Sequence, residues 1–360
     1  MGGDTPEREV SLRSGAGIGR ALIELGHRVT LLDTGTGKIL ASPDVAQALG
    51  SEPPASLLGH GPATPQAGGA SVPPAALAVP GAGSGNLEIY AKSIPRSADL
   101  VFIALHGGDG ENGVLQAVLD LARIPYTGSG VLSSSVSMDK SLSKRIFRDL
   151  GIPTPEWVEL QRQALDANAP LRDEDLRRLG GFPLIVKPND QGSSVGISVA
   201  RNPRELLSGV EEASRYSPII LVESYIEGRE ITVAVLDDRA YPAVEIIPEG
   251  GFYDYQHKYT AGASRYEAPA RLTPEERARV ERLAHDAYRA LRCSGIARVD
   301  FRLAEDGTPY CLEVNTVPGM TETSLVPKAA AAAGQGYRDL VRAIVESAPA
   351  RAARSPASPA

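Results

Sequence analysis

The sequence is poor in the residues that build thiolate metal sites, disulfide frameworks or membrane spans. Its two cysteines, Cys293 and Cys311, have no motif spacing, which predicts reduced thiols in a core. No apolar run approaches the roughly 20 residues of a membrane span, and the N-terminal stretch MGGDTPERE lacks the character of a signal peptide. The net charge of −7 offers no basic surface to nucleic acid or anionic lipid. We therefore expect a soluble cytoplasmic protein without nucleic-acid or membrane partners.

Two common nucleotide-binding patterns are missing or incomplete. No GK[ST] stands at the spacing of the Walker loop. The stretch GAGIGRAL, residues 15–22, is similar to a dinucleotide-binding fingerprint, and Asp33 could be its acidic partner. However, the polar residues before it do not make the buried strand that the fingerprint needs, and no tyrosine is followed by a lysine four residues later. A dehydrogenase is therefore the weaker alternative to a helix over residues 7–28 whose small residues allow close packing.

The length and composition predict two or three domains with a substantial core, because 42% of the 360 residues are hydrophobic and 22% are charged. Residues 51–85 differ from the rest, since seven prolines and seven glycines occupy these 35 positions. We expect this stretch to be a flexible insertion.

The stretch ARVDFRLAEDGTPYCLEVNTVPGMTETS, residues 297–324, predicts a hairpin. Apolar and polar residues alternate on both sides of a turn at residues 306–307. If the strands pair, Asp300, Glu313 and Asn315 project into one site. Two carboxylates and an amide are hard oxygen ligands that suit Mg²⁺. On these residues alone, a solvated hairpin face is the alternative.

The apolar run DLVFIAL, residues 99–105, predicts a buried strand. It ends in a glycine-rich loop, HGGDGENG over residues 106–113, and a helix is predicted over residues 114–123. Open α/β sheets bind ligands at such loops, which makes His106 a candidate. A simple turn residue is the competing interpretation.

Residues 139–150 are predicted to form an amphipathic helix that carries Lys140 and Lys144. A second candidate ligand site lies after this helix in the sequence. The breaker GIPTP, residues 151–155, predicts a domain boundary nearby. In FPLIVKPNDQGSSVG a buried strand ends at Lys187, and a loop of small residues follows. Such a loop can turn backbone N–H groups toward an anion, while lysine supplies a point charge for phosphate. A hairpin with a lysine at its rim is the alternative.

Two further features fit a nucleotide site. Glu223 follows a short apolar strand and Glu230 opens the alternating stretch EITVAVL, so these carboxylates could accept hydrogen bonds from a purine amino group and a ribose hydroxyl. Both could equally be surface charges. Residues 248–267 are rich in glycine and tyrosine, the composition of an active-site lid.

Together these motifs resemble the D-alanine:D-alanine ligase family of the ATP-grasp superfamily. The similarity covers nearly the whole chain, in the family's order, through EREVSLRSG, HGGDGENG, IPYTGSGVLSSSVSMDK, VKPNDQGSSVG, GGFYDYQHKYT, and RVDF with EVNTVPGMTETSL. It implies a mixed α/β and α+β structure: an ATP-grasp fold with an N-terminal Rossmann-like (pre-ATP-grasp) domain. The implied domains are residues 1–130, 131–225 and 226–348, with a lid over 248–267 and a disordered tail over 349–360.

The resemblance implies ATP-dependent synthesis of D-alanyl-D-alanine, a peptidoglycan precursor, through an acyl phosphate. It also implies a homodimer. Two Mg²⁺ ions, or Mn²⁺ in their place, would be held by Asp300, Glu313 and Asn315. The nucleotide would contact Lys140, Lys187, Ser194, Glu223, Glu230 and Lys258. Substrate binding and catalysis would fall to Glu7, His106, Ser193, Tyr259, Arg298, Gly319, Ser324 and Leu325.

The resemblance also gives these residues their roles. Glu7 would receive the ammonium of the first D-alanine, with His106 nearby. Arg298 and the Gly319 amide would stabilise a tetrahedral oxyanion. Ser324 and the Leu325 amide would hold the carboxylate of the second D-alanine.

The lid has its own implied roles. Tyr259 would close it by bonding to Ser193 and Glu7, and Lys258 would reach a phosphate. Closure excludes water from the acyl phosphate.

Two departures from the family pattern accompany the resemblance. The family's apolar strand before the glycine pair has no counterpart in a sequence that opens Met1-Gly2-Gly3, so we expect an N-terminal domain without its first strand and a natural start further upstream. Asn112 stands where an aspartate is common, and we expect catalysis to survive this change. A non-catalytic ATP-binding relic and a D-alanyl-D-lactate ligase stay open as alternatives, although the tyrosine-bearing lid favours D-alanine.

Overall fold

The computed structural model describes residues 1–3, 5, 7–41, 89–90, 93–94, 97–162, 171–248 and 264–348. The predicted insertion, most of the predicted lid with Lys258 and Tyr259, and the predicted tail lie outside these described residues. The described part consists of antiparallel sheets flanked by helices. The predicted domain boundaries stay predictions.

Helix α1 spans Arg8–Glu24, which confirms the helix predicted over residues 7–28. All three glycines of GAGIGRAL lie inside it and form no strand-to-helix turn, so the dinucleotide-binding alternative is wrong. The small residues instead allow close packing, because a Cβ on Gly17 would lie 3.0 Å from the Tyr337 hydroxyl oxygen. Strands β1 (Thr30–Asp33) and β2 (Lys38–Ala41) follow α1 and pair with each other in antiparallel fashion.

The strand predicted over residues 99–105 is buried only in its second half, residues 103–105, and does not form a ladder. A single parallel bridge joins Val101 to Tyr126, so the prediction of a full strand is wrong. Two backbone amides here donate to side-chain hydroxyls and not to the carbonyls of a neighbouring strand. The Ile103 amide donates to Thr127 Oγ1 at 3.1 Å. The His106 amide donates to Ser11 Oγ at 2.9 Å. Buried backbone groups require partners of some kind, and these hydroxyls provide them.

Three helices follow the glycine-rich loop, after a 3₁₀ turn over Gly108–Gly110. Asp139 caps the third helix, since its Oδ1 accepts a hydrogen bond from the Leu142 amide at 2.9 Å. The helices predicted over residues 114–123 and 139–150 are confirmed. The bounds are α2 (Val114–Ala122), α3 (Val131–Met138) and α4 (Lys140–Asp149).

The smaller sheet has four antiparallel strands in the order β3-β6-β4-β5. Helix α6 packs its buried Leu206, Val210 and Ala213 against the sheet. The loop between β4 and β5 is the small-residue loop that the sequence predicts. The bounds are β3 (Trp157–Gln161), α5 (Asp173–Arg178), β4 (Leu184–Pro188), β5 (Ser198–Ala200), α6 (Pro203–Ser214) and β6 (Ile219–Ser224).

The larger sheet has the strand order β10-β9-β7-β11-β12, with β8 beside β7. Helix α7 covers one face, where Val280 and Phe301 share a core. Helices α1, α8 and α9 cover the other face around Ala234 and Leu340. The bounds are β7 (Gly228–Leu236), β8 (Arg239–Ala240), β9 (Val244–Pro248), β10 (Ser264–Glu267), α7 (Pro274–Ala290), β11 (Ile296–Ala304), β12 (Pro309–Asn315), α8 (Leu325–Ala332) and α9 (Tyr337–Ser347).

Strands β11 and β12 form the predicted hairpin. Its turn contains Gly307 at a φ of 76°, a conformation that glycine adopts without strain. In the ladder Asp300 lies opposite Glu313, and Arg298 lies opposite Asn315. The hairpin therefore brings together on one sheet the polar residues that the alternation pattern singles out.

Both cysteines lie within the described residues. Cys311 is buried and Cys293 is half-buried, and both are free thiols. Burial raises the pKa of the Cys293 thiol to about 11, so it stays protonated at neutral pH.

None of the helices within the described ranges combines the length and the apolar character that crossing a membrane requires.

Candidate active site

A cavity of about 550 Å³ lies where α1, the glycine-rich loops and the β11–β12 hairpin meet. Its wall carries both acidic and basic side chains, contributed by segments far apart in the chain. Among the predicted site residues, twelve line it: Glu7, His106, Lys140, Ser193, Glu230, Arg298, Asp300, Glu313, Asn315, Gly319, Ser324 and Leu325.

One wall joins the start of α1 to the loop between β4 and β5. The Ser193 hydroxyl donates a hydrogen bond to Glu7 Oε1. Ser193 and Ser194 both adopt positive φ angles, 51° and 58°. Such backbone is strained for residues with side chains, and strain of this kind concentrates at functional sites. The small-residue loop thus contacts the N-terminal acid, as the resemblance implies for these two residues.

Glu111 is a second acid on this wall, and the sequence interpretation missed it. It is buried, lines the cavity and lies 3.9 Å from His106 Nδ1. Burial, and then the nearby charge of Glu7, raise the pKa of this carboxyl well above its usual range. A second negative charge in one poorly solvated site is unfavourable, which favours the protonated form of Glu111. Its position in the HGGDGENG loop was the available signal.

His106 is held as a neutral imidazole by its hydrogen bonds. Its Nδ1 lies 2.8 Å from the Val317 carbonyl oxygen, which can only accept, so Nδ1 carries the proton. Nε2 then accepts from the Ser14 hydroxyl at 3.0 Å. Burial lowers the pKa of the imidazole, in agreement with this tautomer. The Met320 amide also donates to Ser14 Oγ, at 3.2 Å. His106 and Ser14 together therefore connect α1 with the loop after β12, which contains Val317 and Met320.

Arg298 and Asp300 form a bidentate ion pair on β11. Arg298 Nε donates to Oδ1 at 2.8 Å, and Nη2 donates to Oδ2 at 2.7 Å. Thr232 on β7 also donates its hydroxyl to Oδ1, at 2.6 Å. Because both oxygens are engaged, the carboxylate orientation is fixed, and the guanidinium is held at the cavity wall.

Lys140 and Glu313 form a second ion pair across the cavity. Lys140 Nζ lies 3.1 Å from Glu313 Oε2 and donates to the Gln191 carbonyl at 2.6 Å. The lysine comes from the first residue of α4, whereas Glu313 lies on β12. The two ion pairs thus place two cations and two carboxylates on adjacent parts of one wall.

The donors Asp300, Glu313 and Asn315 are a plausible magnesium set by their chemistry. In the part of the chain that the structure describes, no group of three or more His, Cys, Asp or Glu side chains is arranged to hold a metal by itself. Mg²⁺ does not require one, because it commonly takes one or two protein carboxylates and completes its shell with water and phosphate oxygens. The residues present therefore fit a magnesium ion that arrives with a phosphate ligand.

Three predicted nucleotide residues, Lys187, Ser194 and Glu223, do not line the cavity. Lys187 and Glu223 are buried, with Lys187 Nζ 2.9 Å from Glu223 Oε2. Glu230 does line the cavity, and its carboxylate lies 3.5 Å from Arg302. Ser194 follows Ser193 in the loop between β4 and β5.

The loop after β12 leads into the N-terminus of α8. Ser324 is the N-cap residue of this helix and Leu325 is its first residue. The amides of a first helical turn have no partner within the helix, so they can bind an anion. Gly319 lies beside them, where a Cβ would be 3.0 Å from Ser324 Oγ.

Models of one protein family match both halves of the chain. The model described as "D-ala D-ala ligase N-terminus" matches residues 1–129. The model described as "D-ala D-ala ligase C-terminus" matches residues 146–346. Together they include every described residue on the cavity wall except those of α3 and the start of α4.

Curated relatives with the name D-alanine–D-alanine ligase match over nearly their full lengths. The relative from Syntrophotalea carbinolica is 40% identical over 352 residues, which are 98% of this chain and 95% of the relative. The relative from Synechococcus sp. strain JA-3-3Ab is 42% identical over 360 aligned residues, covering 99% and 95%.

Solved structures of the same family share the fold. The D-alanine–D-alanine ligase from Bacillus anthracis complexed with ATP has a TM-score of 0.64 and 38% identity, covering 74% of this chain and 84% of that one. The Coxiella burnetii ligase has a TM-score of 0.74 and 27% identity, covering 98% and 94%. The chain therefore belongs to the D-alanine–D-alanine ligase family and has the family's ATP-grasp fold.

Proposed function

We propose that the cavity joins two D-alanines into D-alanyl-D-alanine at the expense of ATP. The observation that carries this proposal is the meeting of four kinds of group around one cavity. They are an acid for an ammonium (Glu7), cations for phosphate and oxyanion (Lys140, Arg298), oxygen donors for a metal (Asp300, Glu313, Asn315), and a helix N-terminus for a carboxylate (Ser324, Leu325).

The first substrate is bound at the Glu7 wall. Its ammonium pairs with the Glu7 carboxylate, which the Ser193 hydroxyl orients. The raised pKa of Glu111 disfavours a second negative charge there. The γ-phosphoryl group then passes to a carboxylate oxygen of this D-alanine, which converts a poor electrophile into an acyl phosphate and releases ADP.

The second substrate is bound at the start of α8. The carboxylate of the second D-alanine accepts hydrogen bonds from the Ser324 hydroxyl and the Leu325 amide. These hydrogen bonds orient its amine toward the acyl phosphate. The amine forms the C–N bond and loses a proton, and the C–O bond to phosphate breaks. Arg298 and the Gly319 amide stabilise the oxyanion between these events, each donor contributing about 3 to 4 kcal/mol.

Magnesium supplies charge neutralisation to the ATP phosphates when it is bound. Asp300, Glu313 and Asn315 would hold it, and Lys140 adds a fixed cation beside them. Two metal ions, the lid roles of Lys258 and Tyr259, the homodimer and the cytoplasmic location belong to this proposal as well; they rest on the family resemblance.

The test measures phosphate release from ATP and Mg²⁺ by the purified chain, with and without D-alanine, with the product identified by mass spectrometry. We expect D-alanine-dependent phosphate release matched one for one by the dipeptide. D-lactate in place of the second D-alanine should give no depsipeptide. Phosphate release without dipeptide, or depsipeptide as the main product, would contradict the proposal.

A further inference from the structure

Lys144 on α4 is fully buried, with 0% of its side chain exposed. The motifs of the sequence give it no role, and the amphipathic pattern of α4 leaves it indistinguishable from a surface lysine. Its Nζ lies 3.0 Å from Glu223 Oε1. The other oxygen of the same carboxylate lies 2.9 Å from Lys187 Nζ. Glu223 is thus held between two buried lysines.

The ring of Trp157 fixes Lys144 from the side. The ammonium lies 5.1 Å from the ring centroid, within the range of a cation–π contact. The ring is itself oriented by its Nε1–H, which donates to Ser141 Oγ at 3.1 Å. Trp157 also lies opposite Glu223 in the β3–β6 ladder. Lys144 on α4 therefore contacts two neighbours, Trp157 and Glu223, that lie opposite each other in the smaller sheet.

Stability alone does not account for Lys144. Taking an ammonium out of water is costly, and well-packed apolar residues often replace a buried ion pair without loss of stability. A single lysine would also suffice to neutralise one carboxylate. The second becomes necessary if Lys187 turns away to contact phosphate, because Glu223 would then be a buried carboxylate without a cation. Burial raises the pKa of Glu223, but the charges of Lys144 and Lys187 outweigh it, so the net shift of this pKa is downward.

We propose that Lys144 is a positioning residue for the nucleotide base, which keeps Glu223 ionised and correctly oriented to accept a hydrogen bond from the amino group of adenine. This inference rests on the proposed function. An ionised carboxylate accepts from a 6-amino group and repels a 6-oxo group, whereas a protonated one can donate to the oxo group. Lys144 thereby makes the site select adenine over a 6-oxopurine such as hypoxanthine.

The test compares the binding of ATP and inosine triphosphate by equilibrium dialysis, without D-alanine. In Lys144→Met we expect ATP binding to weaken about tenfold, the value of one lost hydrogen bond to a charged group, while inosine triphosphate binding is kept or improved. In turnover the KM for ATP should rise and the KM for D-alanine should stay constant. An unchanged ratio of the two affinities would overturn the proposal and leave Lys144 a structural residue.

Arg148→Met is the matched control. Arg148 lies on the same helix with its guanidinium 4.9 Å from the same Trp157 ring, but it is exposed and forms no described ion pair with Glu223. We expect this variant to keep the wild-type ratio of the affinities for ATP and inosine triphosphate. Thermal unfolding followed by the fluorescence of Trp157, the only tryptophan in the sequence, reports whether each variant is folded.

A second pair of variants tests the proposal even if Lys144→Met does not fold. Glu223→Gln removes the charge that Lys144 supports, and its amide can both donate and accept. The double variant Lys144→Met, Glu223→Gln should have the same affinity ratio as Glu223→Gln alone; a further change in the ratio would contradict the proposal. Wild-type chain that discriminates the two nucleotides but makes no dipeptide would refute the proposed function and leave this inference standing.

Discussion

The Ser193 hydroxyl donates a hydrogen bond to Glu7 Oε1, joining residues 186 positions apart in the chain. The bond connects the loop between β4 and β5 with the residue that precedes α1, and it closes one side of the cavity. If Glu7 binds the ammonium of the first substrate, as we propose, the position of that ammonium depends on both segments.

Ser193→Ala should weaken the binding of the first D-alanine without weakening that of ATP to the same extent. A hydrogen bond to a charged group contributes about 1.5–3 kcal/mol, which corresponds to roughly a 10- to 150-fold rise in the KM for the first D-alanine. Steady-state kinetics with D-alanine varied at saturating ATP measures this. In a double-mutant cycle with Glu7→Gln, the losses of binding free energy for the first D-alanine should be non-additive. Additive losses would mean that the Ser193–Glu7 hydrogen bond does not contribute to substrate binding.

Glu111→Gln should stabilise the protein increasingly as the pH rises. The pKa of Glu111 is raised in the folded state, so below its unfolded pKa the group is protonated in both states and has no effect. As the pH rises from the unfolded pKa toward the folded pKa, the unfolded state alone ionises, and stability is lost. Thermal unfolding across this range measures the difference between variant and wild type. A difference that stays constant with pH would contradict the raised pKa.

Glu313→Gln should raise the Mg²⁺ concentration needed for phosphate release. Groups one step removed from a metal already change affinity by about 10- to 100-fold, so a direct ligand should cost at least tenfold. The matched control is Glu305→Gln, an exposed carboxylate on the same hairpin that does not line the cavity. Half-saturating Mg²⁺ should be unchanged in the control. Equal shifts in both variants would indicate a general electrostatic effect.

Arg298→Lys should lower kcat by about 100- to 1,000-fold, the usual loss for one oxyanion donor. Lysine cannot reproduce the bidentate contact with Asp300. Arg229→Lys is the control, because Arg229 forms an equally bidentate pair with Glu245 in the same sheet, at 2.9 and 2.6 Å, outside the cavity. We expect the control to keep its kcat. Comparable kcat losses in both would assign Arg298 a structural role instead.

The hairpin and most helices could be predicted from local sequence patterns, because buried residues recur in them at short, regular intervals. Val299 and Phe301 are buried as the alternation requires, and Asp139 caps α4 one residue before its first turn. The run at residues 99–105 shows the limit of this reasoning. Burial was predicted for the whole run, but only residues 103–105 are buried. Strand pairing depends on the neighbouring segments, and here the hydroxyls of Thr127 and Ser11 accept the hydrogen bonds of the Ile103 and His106 amides.

The candidate site was predicted mainly from family resemblance, since no local rule relates Glu7 to Ser193. Family membership and the ligase class are confirmed by the comparisons, whereas the individual residue roles stay predictions. Lys144 and Glu111 were missed for a physical reason. Charged residues are usually solvated, and only the tertiary packing reveals that these two are buried.

The ion pairs Arg298–Asp300 and Lys140–Glu313 give the site a thermodynamic consequence. In the proposed reaction, phosphate would draw Lys140 away from Glu313, and a metal on Asp300 and Glu313 would leave Lys140 and Arg298 without their carboxylate partners. Either ligand alone would therefore break an ion pair, whereas the metal and the phosphate together would each supply the charge that the other displaces. We expect the metal and the nucleotide to raise each other's affinity by the same factor, as linkage requires. A site of this kind would take up magnesium and ATP as a cooperative pair and discriminate against either one alone.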